Sequence, residues 1–274
     1  MLRKSLKHEF RATTRVMLPV FIALVLLAVA ARFSVRLLNV NTLPGVLRGI
    51  SVAMLILFVI SLIAAGVGVI ILTVVRFYRS FLSNEGYLNM TLPVSVHTHI
   101  SSRLIVSVVW YALTVVAIAL CVMVMALSSS DLSSIFDGLR ELMIGIYETG
   151  MTGHLVLLGF EFLIICVAGG AYVSLLLYAA LAVGHSFNRH KKGLSILFAF
   201  AFYHTVQIIG TITVFAMARY DWDGLFIEYE SGIPLAAVHF AEGAMGVSLL
   251  ISVLLCAVFY FITHFFLSRK LNLE

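Results

Sequence analysis

The sequence predicts an all-α, polytopic membrane protein with a single domain, six transmembrane helices and two further helices on the cytoplasmic side. Hydrophobic residues make up 62% of the 274 residues and charged residues only 11%, whereas soluble globular domains carry roughly 25% charged residues. The few charges are also separated by long uncharged intervals along the whole chain. A water-soluble domain is therefore excluded. Helices are favoured over a β-barrel because the residue alternation typical of barrel strands is absent.

Six uncharged intervals approach or exceed the length needed to cross a bilayer, which is about 20 helical residues. The first interval contains 16 residues, and the other five contain 26 or 27. The charged residues that bound them are Arg15 and Arg32, Arg48 and Arg76, Arg103 and Asp131, Glu161 and Arg189, Lys192 and Arg219, and Glu242 and Arg269. Each interval is expected to form one transmembrane helix.

Three of these spans are expected to extend beyond their bounding charges. Two arginines near the outer end of the first span can turn their side chains toward the bilayer surface, which lengthens this span toward Leu38. The fourth and sixth spans are expected to begin near Leu155 and Ala236. Glu161 and Glu242 therefore lie within the predicted spans.

The basic residues are divided unevenly between the two sides of the predicted spans. With six spans both termini lie on the same side, and this side receives 13 of the 18 Lys and Arg residues. Because such residues favour the cytoplasmic side, both termini are expected in the cytoplasm. The net charge of +5 follows from this topology and does not require a nucleic-acid partner.

Segments outside the spans are expected to form structure on both sides. Residues 1–15 combine apolar residues at helical spacing with five basic residues, which predicts an interfacial elbow helix that enters the first span at an angle. A simple orienting anchor is the alternative. On the outside, residues 128–153 are expected to contain a helix. Residues 219–235 are expected to form a second extracellular segment, which leads into the stretch PLAAVHFAEGAMG at residues 234–246, where two turns of chain are expected to dip into the outer leaflet and return.

The longest cytoplasmic connection, residues 76–103, is not a plain polar linker. Ser83 or Asn84 can cap a short helix that has Glu85 in its first turn and ends at Pro93. Tyrosine and leucine side chains in this stretch would be exposed, and exposed apolar patches usually mark interaction sites. We expect a partner protein to cover this helix; packing on the membrane surface is the alternative.

The sequence carries no motif for an enzymatic reaction of its own. The phosphate-binding motif GxxxxGK[ST], the metalloprotease motif HExxH and the nucleophile motif GxSxG are all absent. The sequence HTH at residues 97–99 is only a weak metal motif. Cys121, Cys166 and Cys256 lie in apolar stretches without paired spacing and are interpreted as small core residues. We therefore expect no bound metal or cofactor and no catalytic residue.

Polar residues within the predicted spans are the remaining candidates for a functional site. They are Glu161, the pair His204 and Gln207, and the pair His239 and Glu242. Such residues cost free energy in lipid unless they face protein or water, so they are candidates for a substrate path. Hydrogen bonding between neighbouring helices is the alternative for each of them.

The stretch NEGYLNMTLPVS at residues 84–95, followed by Arg103 and preceded by the leader KHEFRATTR at residues 7–15, resembles the permease subunits of bacterial ABC exporters of the six-helix, type V class. Within that class the chain is most similar to Gram-positive permeases of the peptide-exporter kind, such as those that export phenol-soluble modulins. The resemblance covers the whole chain as a topology, but only the EGY and TLP elements are specific.

The resemblance implies a pair of permeases, most simply a homodimer, in a bacterial plasma membrane, each docked on a separate ATPase subunit that binds ATP and Mg. It places Arg3, Lys7 and Phe10 in the elbow helix. It also implies a coupling helix that sits in a groove of the ATPase, made of Glu85, Gly86, Tyr87, Leu88, Thr91, Leu92 and Pro93. The cargo would be an amphipathic peptide or a lipid-like molecule.

Two other functions remain open from the residues. One is a membrane-embedded interaction or immunity protein that captures a peptide without pumping. The other is an ion-coupled secondary transporter, although the paired broken spans that mark many such carriers are absent from the sequence.

Overall fold

The computed structural model describes residues 2–40, 44–82, 95–126, 129–148, 152–187, 189–218 and 235–269. Within these residues the chain forms seven α-helices and no strand. The helices are α1 (Leu2–Leu38), α2 (Gly45–Phe81), α3 (Val96–Ala126), α4 (Ser129–Glu148), α5 (Thr152–Gly184), α6 (Lys191–Ala218) and α7 (Leu235–Arg269). All except α4 are long and apolar enough to cross a membrane. This confirms the prediction of an all-helical protein with six candidate membrane spans.

The helix boundaries follow the charge pattern closely. Helix α1 extends to Leu38, and α5 and α7 begin at Thr152 and Leu235, before Glu161 and Glu242. Helix α4 confirms the helix expected within residues 128–153. Residues 235–246, where the chain was expected to dip and return, form the first turns of the continuous helix α7, so the described residues show no return of the chain there.

The interfacial elbow helix is not a separate element. Helix α1 runs without interruption from Leu2 to Leu38, so the basic leader forms its first turns. Thr13 donates its hydroxyl hydrogen to the carbonyl oxygen of Glu9 at 2.8 Å. Such back-bonding satisfies the polar side chain within the helix itself. The helical backbone is continuous at residue 15, where the elbow helix was expected to enter the first span at an angle. Pro19 lies one turn later in the same helix.

Two compact units make up the chain: residues 1–75 with 105–145, and residues 76–104 with 146–274. We call them the first and second units. The boundary falls inside α2 and inside α3, so each of these helices contributes to both units.

Small side chains let α1, α2 and α3 approach closely in the first unit. Ala28 and Ala31 of α1 are buried with Phe58 and Ala65 of α2 and with Cys121 of α3. Small residues at such contacts increase van der Waals packing, which is a main source of helix association in lipid.

Two polar side chains in the first unit make contacts between helices. The indole nitrogen of Trp110 donates to the hydroxyl of Thr13 at 2.7 Å. Arg32 donates to the carbonyl oxygen of Met125 at 3.0 Å, at the end of α3. This bond satisfies a carbonyl group that the end of α3 leaves open.

The core of the second unit is built around α5. Leu175, Tyr178 and Ala179 of this helix are buried together with Phe77 at the end of α2 and Phe259 of α7. Helix α6 packs against the same core, although its most apolar 18-residue stretch has no buried residue.

The cysteines differ in their surroundings. Cys121 is buried and Cys256 is partly buried, but Cys166 is exposed on α5. The interpretation of all three as core residues is therefore wrong for Cys166, because the sequence does not show which face of an apolar helix is packed.

Candidate functional site

The described residues on either side of the proposed coupling segment, residues 83–94, lie in the second unit. The seven residues assigned to the coupling helix, Glu85 to Pro93, lie outside the described residues. The helices on either side of them are described, and their ends meet: the ring of His99 lies edge-on to Phe81, with centroids 6.2 Å apart. The chain therefore leaves and re-enters the structure at one packed cluster. We call this cluster, formed by Phe81, His99 and Arg103, the stem cluster.

Arg103 is the charged member of the stem cluster. Its side chain is 7% exposed, and its guanidinium carbon lies 4.5 Å from the centroid of the Phe81 ring. It also donates to the carbonyl oxygen of His99 at 3.2 Å. A cation held over an aromatic ring contributes about 0.5–2 kcal/mol, with the larger values at desolvated sites. Arg103 therefore ties the start of α3 to the end of α2.

The aromatic stack of Phe77 and Tyr178 connects the stem cluster to α5. Their rings are nearly parallel, with an interplanar angle of 9° and centroids 4.0 Å apart. Both side chains are at most 1% exposed. A displacement of the stem cluster would therefore act on the close-packed side chains of Phe77 and Tyr178. Close-packed side chains transmit strain because they leave no room for adjustment.

The two histidines of the tripeptide His-Thr-His at residues 97–99 have different surroundings. His99 is buried near Phe81, whereas His97 is exposed and stacks on His264 with centroids 3.9 Å apart. The Nδ1 atom of His97 also lies 2.8 Å from the hydroxyl of Tyr260. Residues two positions apart on a helix point to nearly opposite sides, so this sequence does not form a chelating pair.

A tight turn joins α5 and α6 and contacts the end of α2. A side chain at Gly184 would collide with the backbone and hydroxyl of Ser195. Nδ1 of His185 donates to the carbonyl oxygen of Leu181 at 2.9 Å, and its ring lies edge-on to Tyr78 with centroids 5.4 Å apart. Burial lowers the pKa of His185, the nearby positive charges of Lys191 and Lys192 lower it further, and the backbone hydrogen bond opposes them.

The polar groups of α5 and α7 form the second candidate region. Nδ1 of His154 lies 2.7 Å from a carboxylate oxygen of Glu242. Further along, the thiol of Cys256 donates to the carbonyl oxygen of Ala168 at 3.7 Å. Both contacts join residues 88 positions apart, which shows that the two helices run in the same direction with a constant register. We call the stretch between these contacts the α5–α7 seam.

Glu161 lies within the seam. Its side chain is partly exposed, but its Oε2 atom is buried and has no hydrogen-bond partner among the described residues. His154, Glu161 and Ala168 are spaced seven residues apart, so they share one face of α5. The structure thus brings Glu161 and Glu242 to the same helix interface.

His204 and Gln207 lie on an exposed face of α6. The amide nitrogen of Gln207 donates to the hydroxyl of Tyr203 at 2.8 Å, and the ring of His204 lies edge-on to Phe200 with centroids 4.0 Å apart. The packed side of α6 carries Phe202 instead. The structure therefore does not place this pair at the α5–α7 seam.

The remaining candidates lie near the starts of two helices. Arg3 and Lys7 are exposed on α1, and Phe10 is partly buried, with its ring centroid 6.4 Å from that of Trp110. His239 belongs to the first turns of α7. These positions are compatible with an interfacial role and do not test it.

Sequence reasoning missed the roles of Arg103, Tyr178 and His154. Arg103 entered the sequence analysis as a charge that bounds the third span and as part of the family resemblance, without a packing role. Tyr178 is one of many aromatic residues in an apolar stretch. For His154 a signal did exist, because it lies seven residues before Glu161 and therefore on the same helix face.

Comparison of the chain with protein-family models, with curated proteins and with solved structures finds no match.

Proposed function

We propose that this chain is the membrane-spanning subunit of an ATP-driven ABC exporter in a bacterial plasma membrane, with both termini in the cytoplasm. In this proposal two copies of a separate ATPase subunit bind ATP and Mg, and two copies of this chain form the path. The cargo is an amphipathic peptide or a lipid-like molecule. The observation that supports the proposal best is the stem cluster, in which the end of α2 and the start of α3, on either side of the coupling segment, contact each other, while α2 also stacks on α5.

The stem cluster provides a route for mechanical work. ATP binding closes the two ATPase subunits and displaces the coupling segment that rests on them. The Arg103–Phe81 contact keeps the end of α2 and the start of α3 together. The Phe77–Tyr178 stack then passes the displacement to α5. Helix α5 also carries Glu161, so the movement reaches the region proposed to contact cargo.

The exposed polar face of α6 supports a second copy of the chain as a partner. His204 and Gln207 are exposed along a candidate membrane span. Polar side chains are unfavourable against lipid and are normally covered by protein or water. A homodimer whose two α6 helices border a shared path would provide such a cover.

The decisive experiment is purification of the chain with the ATPase subunit expressed beside it. We expect an ATPase to remain bound through purification and its ATP hydrolysis to depend on this chain. The double variant Glu85→Ala with Leu88→Asp is expected to abolish ATPase binding while membrane insertion is retained. Both changes remove contacts that the coupling helix would make in the ATPase groove.

A matched control makes the same kinds of change on α4. Glu141 and Met143 are both exposed there, so Glu141→Ala with Met143→Asp is expected to leave ATPase binding unchanged. Unchanged binding in the coupling-segment variant would show that the coupling assignment is wrong. If no ATPase binds, the exporter is excluded: transport without an ATPase would then favour the ion-coupled carrier, and peptide capture without transport would favour the non-pumping interaction protein.

A further inference from the structure

The α5–α7 seam holds a carboxylate at a defined depth. The contacts His154–Glu242 and Ala168–Cys256 mark the two ends of the seam with the same separation of 88 residues. Glu161 lies seven residues from both His154 and Ala168, which corresponds to about 10 Å along the helix in each direction. The carboxylate therefore lies midway between two points where the helices touch.

The facing part of α7 offers the buried Oε2 atom of Glu161 no hydrogen-bond partner. The register places Leu249 opposite Glu161, since 161 and 249 differ by the same 88 positions as the flanking pairs. One turn earlier on α7 lies Gly246, which is partly buried, and a side chain there would meet no atom within 4 Å. The seam thus has open space one turn from the position opposite Glu161.

The charges of the two helices are also unbalanced. No Lys or Arg occurs between Thr152 and Gly184 or between Leu235 and Ser268. Glu242 is close to His154, whose side chain is 35% exposed, whereas that of Glu242 is 14% exposed. Within the part of the chain that the structure describes, the buried Oε2 of Glu161 has no hydrogen-bond partner. An ionised carboxylate with a buried, unpaired oxygen is unfavourable, and a cation would offset that cost.

We propose that the α5–α7 seam is a binding site for the cationic group of an amphipathic molecule, an ammonium or guanidinium whose N–H groups donate to Glu161. The apolar part of the ligand would lie along the exposed aliphatic side chains of α5. The identification of this ligand as exported cargo rests on the proposed function, whereas the site itself does not.

The proposed site is tested with the purified full-length chain in dodecyl maltoside micelles, which contain no ammonium group. Calorimetric titration compares octylammonium with octanol, two probes of equal chain length, after subtraction of empty micelles. We expect Glu161→Gln to weaken octylammonium binding about tenfold, corresponding to about 1.4 kcal/mol, and to leave octanol binding unchanged. The matched control Glu141→Gln removes an exposed carboxylate on α4 and should leave both affinities unchanged.

A second variant keeps the test informative if Glu161→Gln does not fold. Leu249→Lys places an ammonium opposite Glu161, so it should abolish octylammonium binding and raise the unfolding temperature. Octylammonium binding as tight as in the wild type, in either folded variant, would overturn the proposal. An equal loss in Glu141→Gln would also overturn it, because binding would then follow net charge.

Lipid head groups are another source of the same chemistry. If cargo is the ligand, added phosphatidylethanolamine should weaken octylammonium binding in the same titration only slightly. Abolition of octylammonium binding by this lipid would assign the site to lipid and overturn the cargo assignment. The ATPase subunit is absent from all these measurements. Failure of the exporter proposal and failure of this site would therefore be separate results.

Discussion

Phe77 at the end of α2 and Tyr178 of α5 stack with their ring centroids 4.0 Å apart and their planes 9° apart. The two residues come from helices that are far apart in sequence, and both are almost fully buried. Phe77 lies six residues before the coupling segment, residues 83–94. The stack therefore links the base of that segment to the helix at the centre of the second unit.

Removal of one ring of this stack is expected to destabilise the second unit. Phe77→Ala should lower the free energy of unfolding by about 3–5 kcal/mol, because a large buried ring leaves a cavity. Phe162→Ala on α5 is the control, since Phe162 is 56% exposed; its effect should be within about 0.5 kcal/mol. Unfolding in detergent monitored by circular dichroism measures both. Equal effects would contradict the stacked geometry.

The contact between Arg103 and Phe81 should appear as a coupling energy. A double-mutant cycle with Arg103→Gln and Phe81→Leu is expected to give a coupling of about 1–2 kcal/mol, because the guanidinium is desolvated over the ring. The free energies of unfolding of the wild type, the two single variants and the double variant are needed. Simple additivity of the two single effects would show that the contact contributes nothing.

The close approach of α6 to Gly184 predicts that this glycine does not tolerate a methyl group. Gly184→Ala should lower the free energy of unfolding by about 1–3 kcal/mol, because the added Cβ atom collides with the backbone of Ser195. Gly169 lies on the same helix, and a Cβ atom there would meet nothing within 4 Å. Gly169→Ala should therefore be neutral or slightly stabilising. Similar losses in both variants would contradict the turn geometry.

His185 is expected to make stability depend on pH. Its folded pKa is lower than the ordinary value of 6.5 because of burial and of the nearby Lys191 and Lys192. Below pH 6.5 the unfolded chain binds a proton that the folded chain does not, so the stabilisation is complete above that pH and is lost as the pH falls toward the folded pKa.

The variant His185→Gln isolates this contribution from those of the other histidines. The difference in unfolding temperature between wild type and His185→Gln should be largest above pH 7 and should shrink between pH 6.5 and pH 5. Tyr78 and Ser195, which contact the ring of His185, are the same residues in both proteins. A difference that is constant with pH would show that His185 does not change its protonation preference on folding.

The charge intervals of the sequence determined the six long helices and most of their ends. Leu38 ends α1 as expected, and both α5 and α7 begin ahead of Glu161 and Glu242. This works because a bilayer-length run without charges has few alternatives to a helix in lipid. Identification of Glu161 as a candidate site residue followed from the same rule, since a carboxylate within such a run is costly.

Only the tertiary structure decided which faces of these helices meet. In an apolar helix nearly every side chain is compatible with both lipid and protein, so the sequence pattern does not indicate that Tyr178 is buried while Phe162 is exposed. The same reason applies to Cys166 and to the exposed position of His204. The register of 88 residues between α5 and α7, which brings His154 to Glu242, arises from packing between segments far apart in the chain and leaves no local trace in the sequence.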